Sequence, residues 1–103
     1  MSEQLTVVAH LRAINGQIEE TKAFLTGLIA PTRDEPGCVE YWLHQDNEDP
    51  AEFTFYENWK NREEWDKHME LPHLQAFADV KDKVFELQKL RLMTMVSDAA
   101  STR

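Results

Sequence analysis

The sequence predicts an α+β domain on the ferredoxin-like, split βαβ plan, with the element order β-α-β-β-α-α-β around one antiparallel four-stranded sheet. Three observations carry that expectation. Four stretches alternate apolar and polar residues at the period of a strand. Two regions of helical spacing lie between the first and second of these stretches and between the third and fourth. The middle two are separated only by the polar turn "DNEDPA", as in a hairpin.

The first strand is "LTVVAHLR" at 5–12, with Leu5, Val7, Ala9 and Leu11 on one face. Asn15-Gly16 breaks the pattern. From about 17 to 34, Ile18, Leu25, Leu28, Ile29 and Thr32 fall on one side of a helix, and Glu19, Glu20, Lys22 and Arg33 on the other. Pro31 should kink this helix or loosen its last turn. "EPG" at 35–37 ends it, with Gly37 free to take the left-handed conformation.

"CVEYWLHQ" (38–45) and "EFTFYENW" (52–59) form the hairpin. Val39, Tyr41 and Leu43 are expected to share a face with Phe53 and Phe55. Cys38, Trp42 and His44 then face the other way, as do Thr54, Tyr56 and Asn58. Glu57 is expected to pair with Arg12 or Arg91. Residues 61–70 read as a short helix with Asn61 as N-cap and Glu64 as its capping-box partner. Leu71 precedes a proline and leaves helical space. Pro72 opens a second helix, "PHLQAFADVKDKVF", with Leu74, Phe77, Val80, Val84 and Phe85 inward. "LQKLRLMTMV" (87–96) is the last strand, and 97–103 read as a loose tail.

At 103 residues the chain (1–103) is one domain with a core over about 5–96. A domain this small buries only about two-thirds of its unfolded surface, and both faces of its hairpin carry large side chains. A homodimer with sheets packed face to face would cover the second face. The net charge of −8 disfavours nucleic acid and anionic membrane surfaces as partners. No apolar run approaches the roughly 20 residues that span a bilayer, and "MSEQLTVVAH" lacks the pattern of a signal peptide. A single cysteine, Cys38, suits a reducing cytoplasm, where the expected role is that of a small half-buried strand residue.

The chemistry-bearing stretch is "YENWKNREEWDKHMELPHLQAF" at 56–77. It places His68 and His73 on either side of Leu71-Pro72, with Trp65 and Asn61 one and two helical turns before His68. His68 serves either as a base at the mouth of a pocket or as a helix C-terminal residue meeting free carbonyls. His73, near a helix start, is either a neutral base or a local hydrogen-bonding residue. Asn61 also serves as a plain N-cap, and Trp65 as plain core. His44, Trp42 and Tyr56 share a sheet face, and alternation leaves open whether that face lines the pocket with Phe77 or meets a partner sheet. No metal site is expected: the two histidines are five apart across a proline, and no cysteine supports them. The acidic pairs Glu19-Glu20, Glu63-Glu64 and Asp79/Asp82 read as solvated helix faces.

Three segments carry a family resemblance: "APTRDEPGC" running into "YWLHQD", then "FTFYENW", then "HMELPHLQAF". Over roughly 5–95 the chain resembles the antibiotic biosynthesis monooxygenase family, and in particular its small bacterial quinol-monooxygenase-like members. The resemblance implies a dimeric α+β barrel and oxidation of a quinol or anthrone by O2 with no metal or flavin. It does not specify a substrate. In anthrone-oxidising members a pair matching Asn61 and Trp65 lines the active site. The tyrosine and arginine that accompany the pair there correspond to Leu71 and Phe85 here, so that proton route is missing. Haem degradation, known in the wider superfamily, is disfavoured because the axial histidine position falls on Ala78 and the haem-ruffling tryptophan on His68. The sequence therefore points to catalysis by His68, His73, Asn61 and Trp65, with His44, Trp42, Tyr56 and Phe77 contacting an aromatic substrate. The other readings it admits are an isomerase of a small carbonyl compound and a non-catalytic binder of aromatic metabolites.

Overall fold

The computed structural model describes residues 4–97. Its elements run β1 (Leu5–Ala13), α1 (Ile18–Gly27), α2 (Ile29–Arg33), β2 (Cys38–Gln45), β3 (Glu52–Trp59), α3 (Arg62–His68), α4 (Pro72–Val80) and β4 (Phe85–Thr94). The strands form one sheet in the order β2-β3-β1-β4, each pair antiparallel. This is the α+β, ferredoxin-like arrangement. Its helices cover one face, where Val7, Ala9, Leu11, Phe53 and Phe55 of the sheet pack with Leu25, Leu28 and Trp65. The tail expected beyond 97 lies outside the described residues.

The first helical region is two helices rather than one. Pro31 has no N–H to give the carbonyl four residues back, which is that of Gly27, and the ladder breaks there. Leu28 bonds instead to Leu25 O at 3.1 Å. Gly37 does not take the left-handed conformation; among the described glycines only Gly16, in the turn before α1, has positive φ, at 83°. What Gly37 provides is room, because a Cβ there would overlap the side chain of Glu64 on α3.

A bulge between Cys38 and Glu40 corrects the expected faces of β2. Val39 turns out to 49% exposure, whereas Cys38 turns inward and packs on the core. Tyr41 keeps its inward place at 3%. A second irregularity, between His10 and Leu11 in the pairing of β1 with β4, puts Leu87 and Leu90 on the helix side although they are three apart.

α4 stops at Val80, five residues before the expected end. Asp82 takes a positive φ of 72°, which closes the turn into β4. Phe85, expected on the helix, is the first residue of β4, pairs with Ala13 and is fully buried. The break between α3 and α4 follows expectation, and the capping box expected at the start of α3 forms by half: the Glu64 side chain pairs with Lys67 at 3.5 Å rather than reaching back to Asn61. Asn61 Oδ1 accepts from the Glu64 N–H at 2.9 Å, Leu71 is extended, and Pro72 stands in the first turn of α4.

Candidate active site

Between sheet and helices lies a cavity of about 60 Å³ whose mouth opens to solvent beside the exposed Met69 and Leu90. Its floor is Val7 and Ala9 of β1, Phe55 and Glu57 of β3, and Leu87 and Leu90 of β4. Its wall is Trp65, His68, Met69, Leu74 and Phe77. Glu57 and His68 are the acid–base groups in an otherwise apolar lining, apart from the deep phenol of Tyr41, which burial holds well above its usual range.

His68 ends α3 and is 2% exposed. Its ring packs on Trp59 at 4.4 Å and meets the edge of Tyr41 at 6.0 Å. His68 Nδ1 lies 2.7 Å from Glu35 Oε2, and His73 Nε2 lies 2.8 Å from the same oxygen. A carboxylate oxygen accepts only, so both ring nitrogens facing it carry hydrogen. For His68 that fixes the tautomer: with Nδ1 donating to Glu35, the neutral ring keeps an unprotonated Nε2. Burial lowers the pKa of His68, outweighing the Glu35 bond that raises it, and favours that neutral form.

Glu57 is 5% exposed and accepts from Trp59 Nε1 at 2.9 Å. The expected pairing with Arg12 or Arg91 is not what holds it. Arg12 reaches Asp49 and Glu52 at 2.7 and 2.6 Å, and Arg91 faces away, opposite Val8. Burial pushes the Glu57 carboxyl up to about 7; the Trp59 bond opposes this and repulsion from Glu35 adds to it.

Three of the eight proposed site residues line the cavity and five do not. Trp65, His68 and Phe77 line the cavity. His73 stands behind His68, their rings 5.7 Å apart, on the far side of the Glu35 carboxylate. The Asn61 side chain is engaged as the α3 cap. Trp42, His44 and Tyr56 occupy the opposite sheet face. There Trp42 Nε1 donates to Glu40, His44 Nδ1 lies 3.4 Å from Thr54 O, and Tyr56 OH accepts from Asn58 Nδ2 at 3.0 Å. His10, on the same face, bonds Thr54.

Sequence reasoning gave Glu35 no role and Glu57 only an ion pair with Arg12 or Arg91, not a place in the cavity. Glu35 sits in the turn after α2, where no periodicity marks a side chain's direction. Glu57 did carry a signal: it continues the inward series Phe53, Phe55, and a carboxylate at such a position is unusual.

Glu35, His68 and His73 place three ligand atoms within 4.8 Å of one another. By composition, two imidazoles and a carboxylate can bind a divalent ion. The expectation of no metal weighed the spacing of the two histidines and the lack of a cysteine; the fold brings in Glu35 as a third possible ligand. In the arrangement present, both N–H groups are bonded to one carboxylate oxygen, which makes the cluster a hydrogen-bonded unit complete in itself.

The chain matches the antibiotic biosynthesis monooxygenase family model over residues 4–80. It is 30% identical to protein sll1783 of Synechocystis sp. over 77 residues, which are 75% of this chain and 52% of that protein; the match spans about half the relative's length. It is also 30% identical over 73 residues to Rv0793 of Mycobacterium tuberculosis, 71% of each chain, a protein whose name proposes a monooxygenase. In three dimensions it superposes on PA3566 of Pseudomonas aeruginosa with a TM-score of 0.83 at 31% identity, covering 96% of this chain and 98% of that one.

Proposed function

Because the chain belongs to the antibiotic biosynthesis monooxygenase family, we propose that it is a cofactor-independent monooxygenase that oxidises a small aromatic quinol or anthrone-like compound with O2. The observation that carries this reading is His68: a neutral imidazole on the wall of an apolar cavity, with Nδ1 tied to Glu35 and Nε2 left as the basic atom.

The chemistry follows from that geometry. The cavity takes the flat apolar body of the substrate against Phe55, Leu87 and Phe77, with part of the ring system in the mouth between Met69 and Leu90. Nε2 of His68 removes a proton, which leaves an electron-rich anion. The anion passes one electron to O2, and the radical pair combines into a carbon-bound peroxide. That peroxide takes the proton back from His68. Loss of water then turns the peroxide carbon into a carbonyl, so one oxygen atom ends on carbon and the other in water. Glu35 positions His68 rather than touching substrate, and His73 holds Glu35 from behind. Exclusion of water strengthens each of these interactions.

The reading includes a homodimer in the cytoplasm, joined through the sheet face that carries Trp42 and Tyr56, both exposed in the single chain. Oxygen uptake with a panel of naphthoquinols, benzoquinols and anthrones tests the activity. Uptake with at least one, abolished in His68→Gln, supports it. Ligand-induced melting shifts without uptake would point instead to a binding protein.

A further inference from the structure

The cavity holds two acid–base side chains suited to work near neutral pH, and the reading above uses one. Glu57 enters from β3 with Val7 and Tyr41 as cross-strand neighbours. Its Oε1 is bonded to the Trp59 indole, and among the described residues no cation within ion-pair distance compensates it. Arg12 is held by Asp49 and Glu52, and Arg33 donates to the Tyr41 carbonyl at 2.7 Å. The titratable groups around it are Glu35 from the turn before β2, Cys38 and Tyr41 from β2, and His68 from α3. A buried carboxylate without a cation is costly, and the cheap remedy is a proton. A structural role alone would favour an apolar residue in line with Phe53 and Phe55. Among the described residues its side chain makes one hydrogen bond, through one oxygen, and the residue lines the cavity.

We infer that Glu57 is a catalytic acid of this site, donating a hydrogen bond from its second oxygen to an oxygen atom of the bound aromatic compound and, in turnover, a proton to the oxygen that leaves as water. The turnover half rests on the oxygenase reading; the hydrogen-bond half does not. In the peroxide, His68 Nε2 removes the proton on the peroxide carbon and the C–H electron pair becomes the second bond of the new carbonyl. The O–O bond breaks, and the departing hydroxide takes the Glu57 proton to leave as water. The proton on His68 then returns to the Glu57 carboxylate, which restores both groups. Two titratable groups in one cavity, with environments that keep one protonated and the other free to accept, form the usual acid and base pair.

The variant is Glu57→Gln, which keeps the side-chain shape and the acceptor for Trp59 but has no acidic proton. Its folding is checked by melting. Two measurements follow. The first is oxygen uptake with the best quinol: kcat is expected to fall about a hundredfold or more, the usual scale for an acid–base group, with KM little changed and the alkaline limb of the parent's pH profile lost. The second uses 2-naphthol under argon, where without O2 the bound compound cannot turn over. The infrared carboxylic-acid C=O band that disappears in Glu57→Gln should shift to lower frequency when 2-naphthol fills the parent's cavity. Parent-like kcat in Glu57→Gln, or a band unmoved by saturating 2-naphthol, overturns the proposal. If the parent consumes no oxygen with any quinol, the oxygenase reading fails by itself, and the infrared band still decides the role of Glu57.

Discussion

Glu35 Oε2 and His68 Nδ1 lie 2.7 Å apart although 33 residues separate them in the chain. The contact joins the turn after α2 to the end of α3, and it sets which nitrogen of His68 is basic. Glu35→Ala removes the one oxygen that accepts from both ring N–H groups. We expect kcat to fall, by less than the roughly 10²–10⁴ that loss of a general base causes, with KM nearly unchanged. Stability should drop by about 1–3 kcal/mol, as for a buried donor left without its acceptor. Steady-state kinetics and urea melts check both. An unchanged kcat would mean that His68 needs no positioning.

The two histidines should separate in stability. From sequence alone, each sits at a helix end, where removal costs about 1 kcal/mol or less. The structure revises this for His68, which is 2% exposed and packed at a tilt against Trp59. His68→Ala opens a space in the core and should cost about 2–4 kcal/mol, comparable to Leu74→Ala. His73 is at the cluster's edge, so His73→Ala should lower Tm by only a few degrees. Chemical denaturation of the three variants measures the order. A His73→Ala variant as unstable as His68→Ala would show that Glu35 depends on both rings.

How far the sequence could lead is visible in these residues. Alternation placed all four strands, since the inward residues Val7, Ala9, Leu11, Phe53 and Phe55 are strongly apolar. The Asn61 cap and the Leu71-Pro72 break were legible because capping and pre-proline sterics act within a few residues. The bulge at Val39 was not, because an inserted residue reverses parity without any change in composition. The helix-side placement of Leu87 and Leu90 was hidden in the same way. For the site, His68 and Trp65 were found through the motif that carries them. Glu35 was invisible because its importance arises from a contact across 33 residues. Trp42, His44 and Tyr56 were open to two assignments, and only the side on which the helices pack could assign them.

The Glu35–His68–His73 cluster gives a prediction on metal. Because each N–H already has an acceptor, the cluster should need no ion. Dialysis against a chelator should leave Tm and quinol-dependent oxygen uptake unchanged. A stoichiometric metal by elemental analysis, together with a fall in Tm on chelation, would show the cluster to be a two-histidine, one-carboxylate metal site.

Glu57 gives a pH prediction with a definite sign. Its pKa rises from 4.5 in the unfolded chain to about 7 in the fold. Below pH 4.5 it is protonated in both states and contributes no penalty. As pH rises from about 4.5 to about 7 the unfolded state ionises first, so stability falls across that window and levels off above it. The loss is a few kcal/mol at most, at about 1.4 kcal/mol per pKa unit. His68 acts in the opposite direction, since a depressed histidine loses stability as pH falls below 6.5. The Glu57→Gln minus parent difference in unfolding free energy isolates the first effect. It should grow from pH 4.5 to 7 in favour of the variant. A flat difference would mean that Glu57 is ionised throughout.

The sheet face away from the helices gives the last prediction. Trp42 is 50% exposed and Tyr56 37%, and they are direct cross-strand neighbours. Trp42 is also covered on one side by the Arg33 guanidinium, 4.7 Å from its ring, so its place on the surface is ordered rather than loose. Met93, opposite Thr6 on β4, adds apolar surface to the same face. Such a patch on a small domain is best covered by a second copy. Sedimentation at micromolar concentration should therefore give twice the chain mass of 12.1 kDa. Tyr56→Asp should yield the single-chain mass and a lower Tm that no longer depends on protein concentration, as expected when folding is linked to association. A parent that sediments as one chain would end the dimer account. A Tyr56→Asp dimer would instead move the interface elsewhere, with the exposed Leu90 and Leu92 of β4 the next surface to substitute.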